Sequence, residues 1–121
     1  MKWTLILAGV LVLVVFFKLK AAPELSAEAA REKLRQGARL IDVRTPAEFA
    51  SNRVSGAVNI PLAVVTNELP RQISDKGAVL LLHCRSGRRS GIAEKELRAL
   101  GYTNVYNIGS FEQAQKIASP R

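Results

Sequence analysis

Between Gly77 and Cys84 the chain carries six residues, Ala78-Val79-Leu80-Leu81-Leu82-His83, in which apolar side chains follow one another without alternation. Successive residues of a strand point to opposite faces, so a strand with one wet face alternates apolar and polar. A run that is apolar at five consecutive positions has to be covered on both faces. That is the situation of a central strand in a parallel sheet wrapped by helices.

The flanking sequence alternates between strand and helix patterns. Ser26 is placed to cap a helix through Gln36, rich in Ala, Glu, Lys and Arg and stopped by Gly37. Leu40-Ile41-Asp42-Val43 predicts a short strand, and Pro46 opens a brief helix to about Ala50. Ala57 to Ile60 predicts a second strand, closed by Pro61. Val64 to Ile73 has helical composition, with Pro70 expected to interrupt or end it. Ser90 to Leu100 predicts a helix stopped by Gly101, Asn104 to Ile108 a last strand, and Phe111 to Ile117 a last helix. Such alternation argues an α/β fold with an open, mostly parallel sheet flanked by helices. At 121 residues, with no internal repeat, there is room for one ordinary domain.

The central strand runs straight into His83-Cys84-Arg85-Ser86-Gly87-Arg88-Arg89-Ser90. Parallel sheets bind ligands at the carboxyl ends of their strands, so this junction is the expected place for a site. A loop curling from a strand into a helix N-terminus turns several backbone N–H groups inward, and such groups hold an anion. Gly87 supplies the positive φ that this curl needs. The same field, with the arginines beside it, lowers a thiol pKa and favours a thiolate at Cys84. Most lone cysteines are inert and buried among apolar neighbours, which is not the context here. His83 precedes Cys84 directly, so its side chain belongs on the opposite face and is a poor general base for it. Ser90 is expected to cap the following helix, with its hydroxyl within reach of the sulfur. Asp42 and Arg44, at the end of a neighbouring strand, are expected to brace the loop rather than touch substrate. Arg85 has a second reading, an ion pair with a structural carboxylate such as Asp42.

Composition narrows the function further. One cysteine excludes an internal disulfide and a zinc site built on paired Cys-x-x-Cys motifs, and no metal, flavin or nucleotide signature is present, so no cofactor is expected. The formal charge is +8, but Lys2, Lys18 and Lys20 belong to the N-terminal segment, and Arg85, Arg88 and Arg89 cluster at the cysteine. The charge therefore reads as a local anion site and not as the broad basic face that nucleic acid requires.

Trp3 to Phe17 is uncharged throughout and bounded by Lys2 and Lys18. As a helix it covers roughly 22 Å. Leu19 and the snorkelling of Lys18 and Lys20 extend it towards the roughly 30 Å of a bilayer core. Residues 1–20 are read as an N-terminal transmembrane anchor, and residues 21–121 as the domain. A cleaved signal peptide, which would export the domain to the periplasm, is the second reading; Lys20-Ala21-Ala22 is a poor cleavage signature. A buried core helix is the third, at odds with an all-round apolar surface bounded by lysines. Lys18, Lys20, Arg31, Lys33 and Arg35 after the span lean towards a cytoplasmic domain, with Glu24, Glu28 and Glu32 among them.

Taken together, the motifs resemble a single-domain rhodanese (thiosulfate sulfurtransferase family). Cys84-Arg85-Ser86-Gly87-Arg88-Arg89-Ser90 is similar to that family's active-site loop. Asp42-Val43-Arg44 with Glu48-Phe49 resembles its Asp-Val-Arg…Glu-Phe signature, and Val54-Ser55-Gly56-Ala57-Val58-Asn59-Ile60-Pro61 its Gly-Ala…Asn-Ile-Pro segment. Gly101-Tyr102-Thr103-Asn104-Val105 is similar to its Gly-Tyr-x-Asn-Val strand. The likeness spans roughly residues 26–118. It departs at Arg53, where histidine is usual, at Ser55, where proline is usual, and at Ser110, which replaces the second glycine of a Gly-Gly pair near the site.

The resemblance implies a rhodanese-like sheet and a two-step transfer. Cys84 would take the outer sulfur of thiosulfate or a related anionic donor, become a persulfide, and pass the sulfur to a thiol, cyanide or a protein acceptor. Backbone N–H groups over Arg85, Ser86, Gly87, Arg88, Arg89 and Ser90 would hold the developing charge. Arg85 and Arg89 would bind the departing sulfite by bidentate contacts, with Arg88 facing solvent.

Two other functions compete with this one. A cysteine phosphatase or arsenate reductase requires arginine six positions after cysteine, and position 90 is serine. A membrane-tethered persulfide carrier, or a rhodanese-like interaction module with little turnover, would use the same cysteine but a fixed partner, held close by the anchor.

Overall fold

The computed structural model describes residues 25–119. The N-terminal hydrophobic helix, and with it the division of the chain at residue 20, lies outside the described residues. Among the described residues no helix is long and apolar enough to cross a membrane.

Helix α1 (Ala27–Arg35) begins at Ser26, whose hydroxyl accepts the Ala29 N–H at 3.1 Å. Strand β1 (Arg39–Asp42) is followed by α2 (Pro46–Ser51). Thr45 and Glu48 close a reciprocal cap on α2, each side chain accepting the other's backbone N–H at 3.2 Å. Strand β2 (Val58–Asn59) leads through a 3-10 turn (Leu62–Val64) into α3 (Val65–Gln72). Strand β3 (Leu80–His83), α4 (Arg88–Ala99), β4 (Val105–Gly109) and α5 (Phe111–Ala118) complete the described order. Pro70 neither breaks nor ends α3, which runs two residues beyond it. The carbonyl deprived of its donor belongs to Thr66, an exposed residue, so water can replace the lost bond.

The four strands form one parallel sheet in the order β2-β1-β3-β4. All of β3 is buried, as its unbroken apolar sequence requires, and Leu80, Leu81 and Leu82 are each 0% exposed. Full burial of one such side chain contributes about 2 kcal/mol. Alternation sorts the core into two layers. Ile41, Val43, Leu80, Leu82 and Cys84 pack with Val65 and Leu69 of α3 and Ala93 and Leu97 of α4. Leu40, Leu81 and Ile108 pack on the other face with Ala30 of α1 and Ala114 and Ile117 of α5. Cys84 thus lies in the α3/α4 layer. His83 precedes it directly and has its ring edge-on to Phe111 of α5, at 6.1 Å between centroids.

One irregularity matters for the site. Leu82 pairs with Asn107 but His83 pairs with Gly109, so β4 carries one extra residue, Ile108, at the carboxyl end of the sheet. A bulge bends its strand and re-aims the neighbouring side chains. Here it sets the Gly109 backbone against Cys84, while Asn107, paired regularly with Leu82, faces the same layer as the cysteine.

Candidate active site

Cys84 is 1% exposed and its N–H donates to the Gly109 carbonyl at 3.2 Å, which ties the start of the loop to β4. The chain then curls through Gly87, at φ 95°, into α4. A β-carbon on Gly87 would also meet the Gly109 Cα at 3.2 Å, so conformation and close approach both select glycine. The curl aims the Gly87 N–H at the Cys84 Sγ, 3.0 Å away.

Ser90 does not cap α4. The helix begins earlier, at Arg88 with Gly87 as its cap, so Ser90 falls in the first turn and points back under the loop. Its hydroxyl lies 2.7 Å from Asn107 Oδ1 and 3.4 Å from Cys84 Sγ. Burial opposes ionisation of Cys84. The Ser90 hydroxyl and the backbone N–H groups of Ser90, Ser86 and Gly87 outweigh it, and the thiol pKa falls below its ordinary value.

The arginines divide into engaged and free. Arg89 holds Glu48 of α2 through both terminal nitrogens, at 2.6 and 3.0 Å, an arrangement that no local pattern announced. This pairing, helped by the cap from Thr45, pulls the Glu48 pKa down to about 2. Arg44 is 4% exposed and binds both carboxylate oxygens of Asp42, Oδ1 at 3.0 Å from Nε and Oδ2 at 2.7 Å from Nη2. It also reaches Asn52 Oδ1 at 3.1 Å and lies over the Phe111 ring, 4.8 Å from its centroid. The Asp42 carboxylate is therefore taken by Arg44, and Arg85 makes no ion pair with it. Arg85, Ser86 and Arg88 are exposed. An open groove of about 910 Å³ lies beside the loop, with Arg85, Ser86, Ser110 and Phe111 on one side and Glu48 and Asn52 on the other.

His83 is 0% exposed, with Nδ1 3.2 Å from the Cys84 carbonyl oxygen and Nε2 3.7 Å from Asp42 Oδ2. Burial holds its pKa below 6.5, against the Cys84 carbonyl and Asp42, so the ring is neutral near pH 7. Ser110 fills the place of the second glycine by capping α5, accepting the Gln113 N–H at 3.1 Å. Among the described residues no group of three His, Cys, Asp or Glu side chains is placed to hold a metal ion.

Three contributors were not singled out in the sequence: Glu48 as the partner of Arg89, Asn52 and Asn107. Glu48 and Asn52 act across 41 and eight residues, with no local signal. Asn107 did leave one, as a lone amide inside an otherwise apolar strand.

The rhodanese-like domain family matches residues 26–116, which contain every element just described but the last two residues of α5. This chain belongs to the rhodanese-like family. It is 38% identical over 81 residues to the thiosulfate sulfurtransferase PspE of Escherichia coli, covering 67% of this chain and 75% of that protein. A solved structure described as a rhodanese with anions from E. coli is 36% identical, with a TM-score of 0.61 over 64% of this chain and 91% of that one. The human single-domain sulfurtransferase TSTD1 is 29% identical, with a TM-score of 0.66 over 82% of this chain and all of the other. The described residues are thus an α/β domain of the rhodanese-like sulfurtransferase family.

Proposed function

We propose that the domain is a thiosulfate-type sulfurtransferase working through a persulfide on Cys84. The observation that carries this reading is the Cys84 sulfur itself, 3.0 Å from an inward N–H and surrounded by donors that favour its charged form. The relative named as a thiosulfate sulfurtransferase supports the choice of donor. The thiolate attacks the outer sulfur of thiosulfate. A bond forms between Sγ and that sulfur, the sulfur–sulfur bond of thiosulfate breaks, and sulfite departs with the electron pair. Cyanide or a thiolate then attacks the outer sulfur of the persulfide, and Cys84 leaves as a thiolate. In this reading the loop N–H groups hold the negative charge in both steps, and Arg85, exposed at the groove, receives the sulfite.

The test is thiocyanate formation from thiosulfate and cyanide by the full chain and by Cys84→Ser. The variant should lose the activity by about a thousandfold or more, as when a covalent nucleophile is removed. Activity retained in the variant would overturn the persulfide. A folded chain that makes no thiocyanate would overturn thiosulfate as the donor and favour the carrier.

We also propose that residues 3–19 anchor the domain to a membrane, on the strength of an uncharged run between flanking lysines. The positive residues after that run favour a cytoplasmic domain. Cell fractionation tests this: the full chain should stay with alkali-washed membranes. Release into the soluble fraction, or a mature mass lacking the segment, would replace the anchor with a cleaved signal.

A further inference from the structure

Asn107 touches three parts of the cysteine loop's frame at once. Its Nδ2 donates to the Gly87 carbonyl at 2.9 Å, and its Oδ1 accepts the Gly109 N–H at 2.9 Å. These two contacts fix the amide's orientation, because a carbonyl can only accept and an N–H can only donate. Oδ1 therefore faces the Ser90 hydroxyl, 2.7 Å away, strictly as an acceptor. A serine hydroxyl has a single hydrogen. While that hydrogen is on Asn107, Ser90 can offer the Cys84 sulfur, at 3.4 Å, only a lone pair.

We propose that Asn107 is a positioning residue that competes with the Cys84 sulfur for the single hydrogen of Ser90. With Cys84 as a thiol, the hydrogen sits on Asn107 Oδ1, and Ser90 oxygen faces the S–H. When Cys84 releases its proton to solvent, the hydroxyl turns and donates to the thiolate. The turn strands nothing, because Oδ1 keeps the Gly109 N–H. Asn107 thereby sets how readily the sulfur ionises without touching it. Regular alternation along β4, which pairs Asn107 with Leu82, turns the amide to the face that carries Cys84 and α4.

Charged groups around the sulfur come from several elements. Arg89 of α4 is paired with Glu48 of α2, Asp42 of β1 is paired with Arg44, and neutral His83 precedes the cysteine on β3. Exposed Arg85 and Arg88 belong to the loop and the start of α4, and Glu112 of α5 borders the groove. None of these contacts Asn107, so a substitution there leaves the ionic frame in place.

The competition has a sign that a simple brace does not. Asn107→Ala removes the rival acceptor and frees the Ser90 hydrogen for the sulfur, so the thiol should titrate lower, by about half a pH unit. A brace alone predicts the reverse, since a loosened loop stabilises the thiolate less. The readout is the ultraviolet absorbance of the thiolate against pH, clean because the chain has one cysteine. It does not depend on which sulfur compound is the substrate, so it stands apart from the sulfurtransferase assay. Asn107→Asp, a stronger acceptor that also brings charge and loses the Gly87 contact, should move the midpoint up, and a fall there would oppose the proposal. In a Ser90→Ala background, Asn107→Ala should no longer move it down. Thermal melting of each variant verifies that the folded protein is being titrated, and if Asn107→Ala does not fold, Asn107→Leu, which also lacks an acceptor and keeps the volume, takes its place with the same expected fall. Midpoints that rise in both variants, that do not move, or that fall as far without the Ser90 hydroxyl would overturn the proposal.

Discussion

Glu48 and Arg89 show how one pair can set the charge offered to a substrate. Both side chains are about a third exposed, at 30% and 31%, so the pair's own contribution to stability is below about 1 kcal/mol. Its larger effect is on the site, where the carboxylate cancels the positive charge of Arg89 beside the thiol. Glu48 also closes the cap of α2 with Thr45, and a glutamine can keep that role. Glu48→Gln should thus leave α2 intact and return net positive charge to the mouth of the site. The expected outcome is a several-fold lower KM for thiosulfate, a smaller change in kcat and nearly unchanged thermal stability. Steady-state kinetics against thiosulfate decide it. An unchanged or raised KM would mean that Arg89 serves to hold α2 and not to attract the donor.

At the scale of elements, what was legible was what the chain states locally. The apolar run before His83 announced a strand buried on both faces, and Ser26 and Gly37 bounded α1, because periodicity and capping are written in adjacent residues. The alternation of His83 and Cys84 followed from the same rule. What was not legible depends on where elements meet. Ser90 has the chemistry of a cap, but Gly87 reaches the required conformation three residues earlier, and α4 starts there. Pro70 carries a local penalty for its helix, and its position opposite an exposed carbonyl makes that penalty tolerable. The Asn107 amide meets the loop because its strand pairs Asn107 with Leu82, and a pairing between distant strands has no signature in either one alone. Sequence therefore singled out Cys84 and its loop as candidates, and tertiary register supplied the groups that surround them.

For the molecule as a whole, the carboxyl ends of β1 and β3 place two buried ionisable side chains, Asp42 and His83, under one loop, and this links folding to pH. Asp42 faces Arg44 as well as His83, while Phe111 of α5 covers the ring. The His83 Nδ1 lies against a carbonyl, so the neutral ring keeps its hydrogen there and turns a bare Nε2 towards Asp42. In the unfolded chain the ring titrates near 6.5, and burial holds it lower in the fold. Below pH 6.5 the unfolded state therefore binds more protons than the native state, and stability falls with pH until the folded pKa is passed. Glu48 adds a second decline, since its stabilisation is complete above its ordinary 4.5 and is lost as pH drops towards about 2. The chain has one histidine, so the first decline can be isolated. In a Cys84→Ser background, which removes the thiol's own titration, urea midpoints from pH 8 to pH 5 should fall below pH 6.5 with His83 present and stay level in His83→Gln. A curve that is flat across that interval with His83 present would mean that the buried ring takes up its proton without cost, with Asp42 accepting the Nε2 hydrogen and the Arg44 contact adjusting to share the carboxylate.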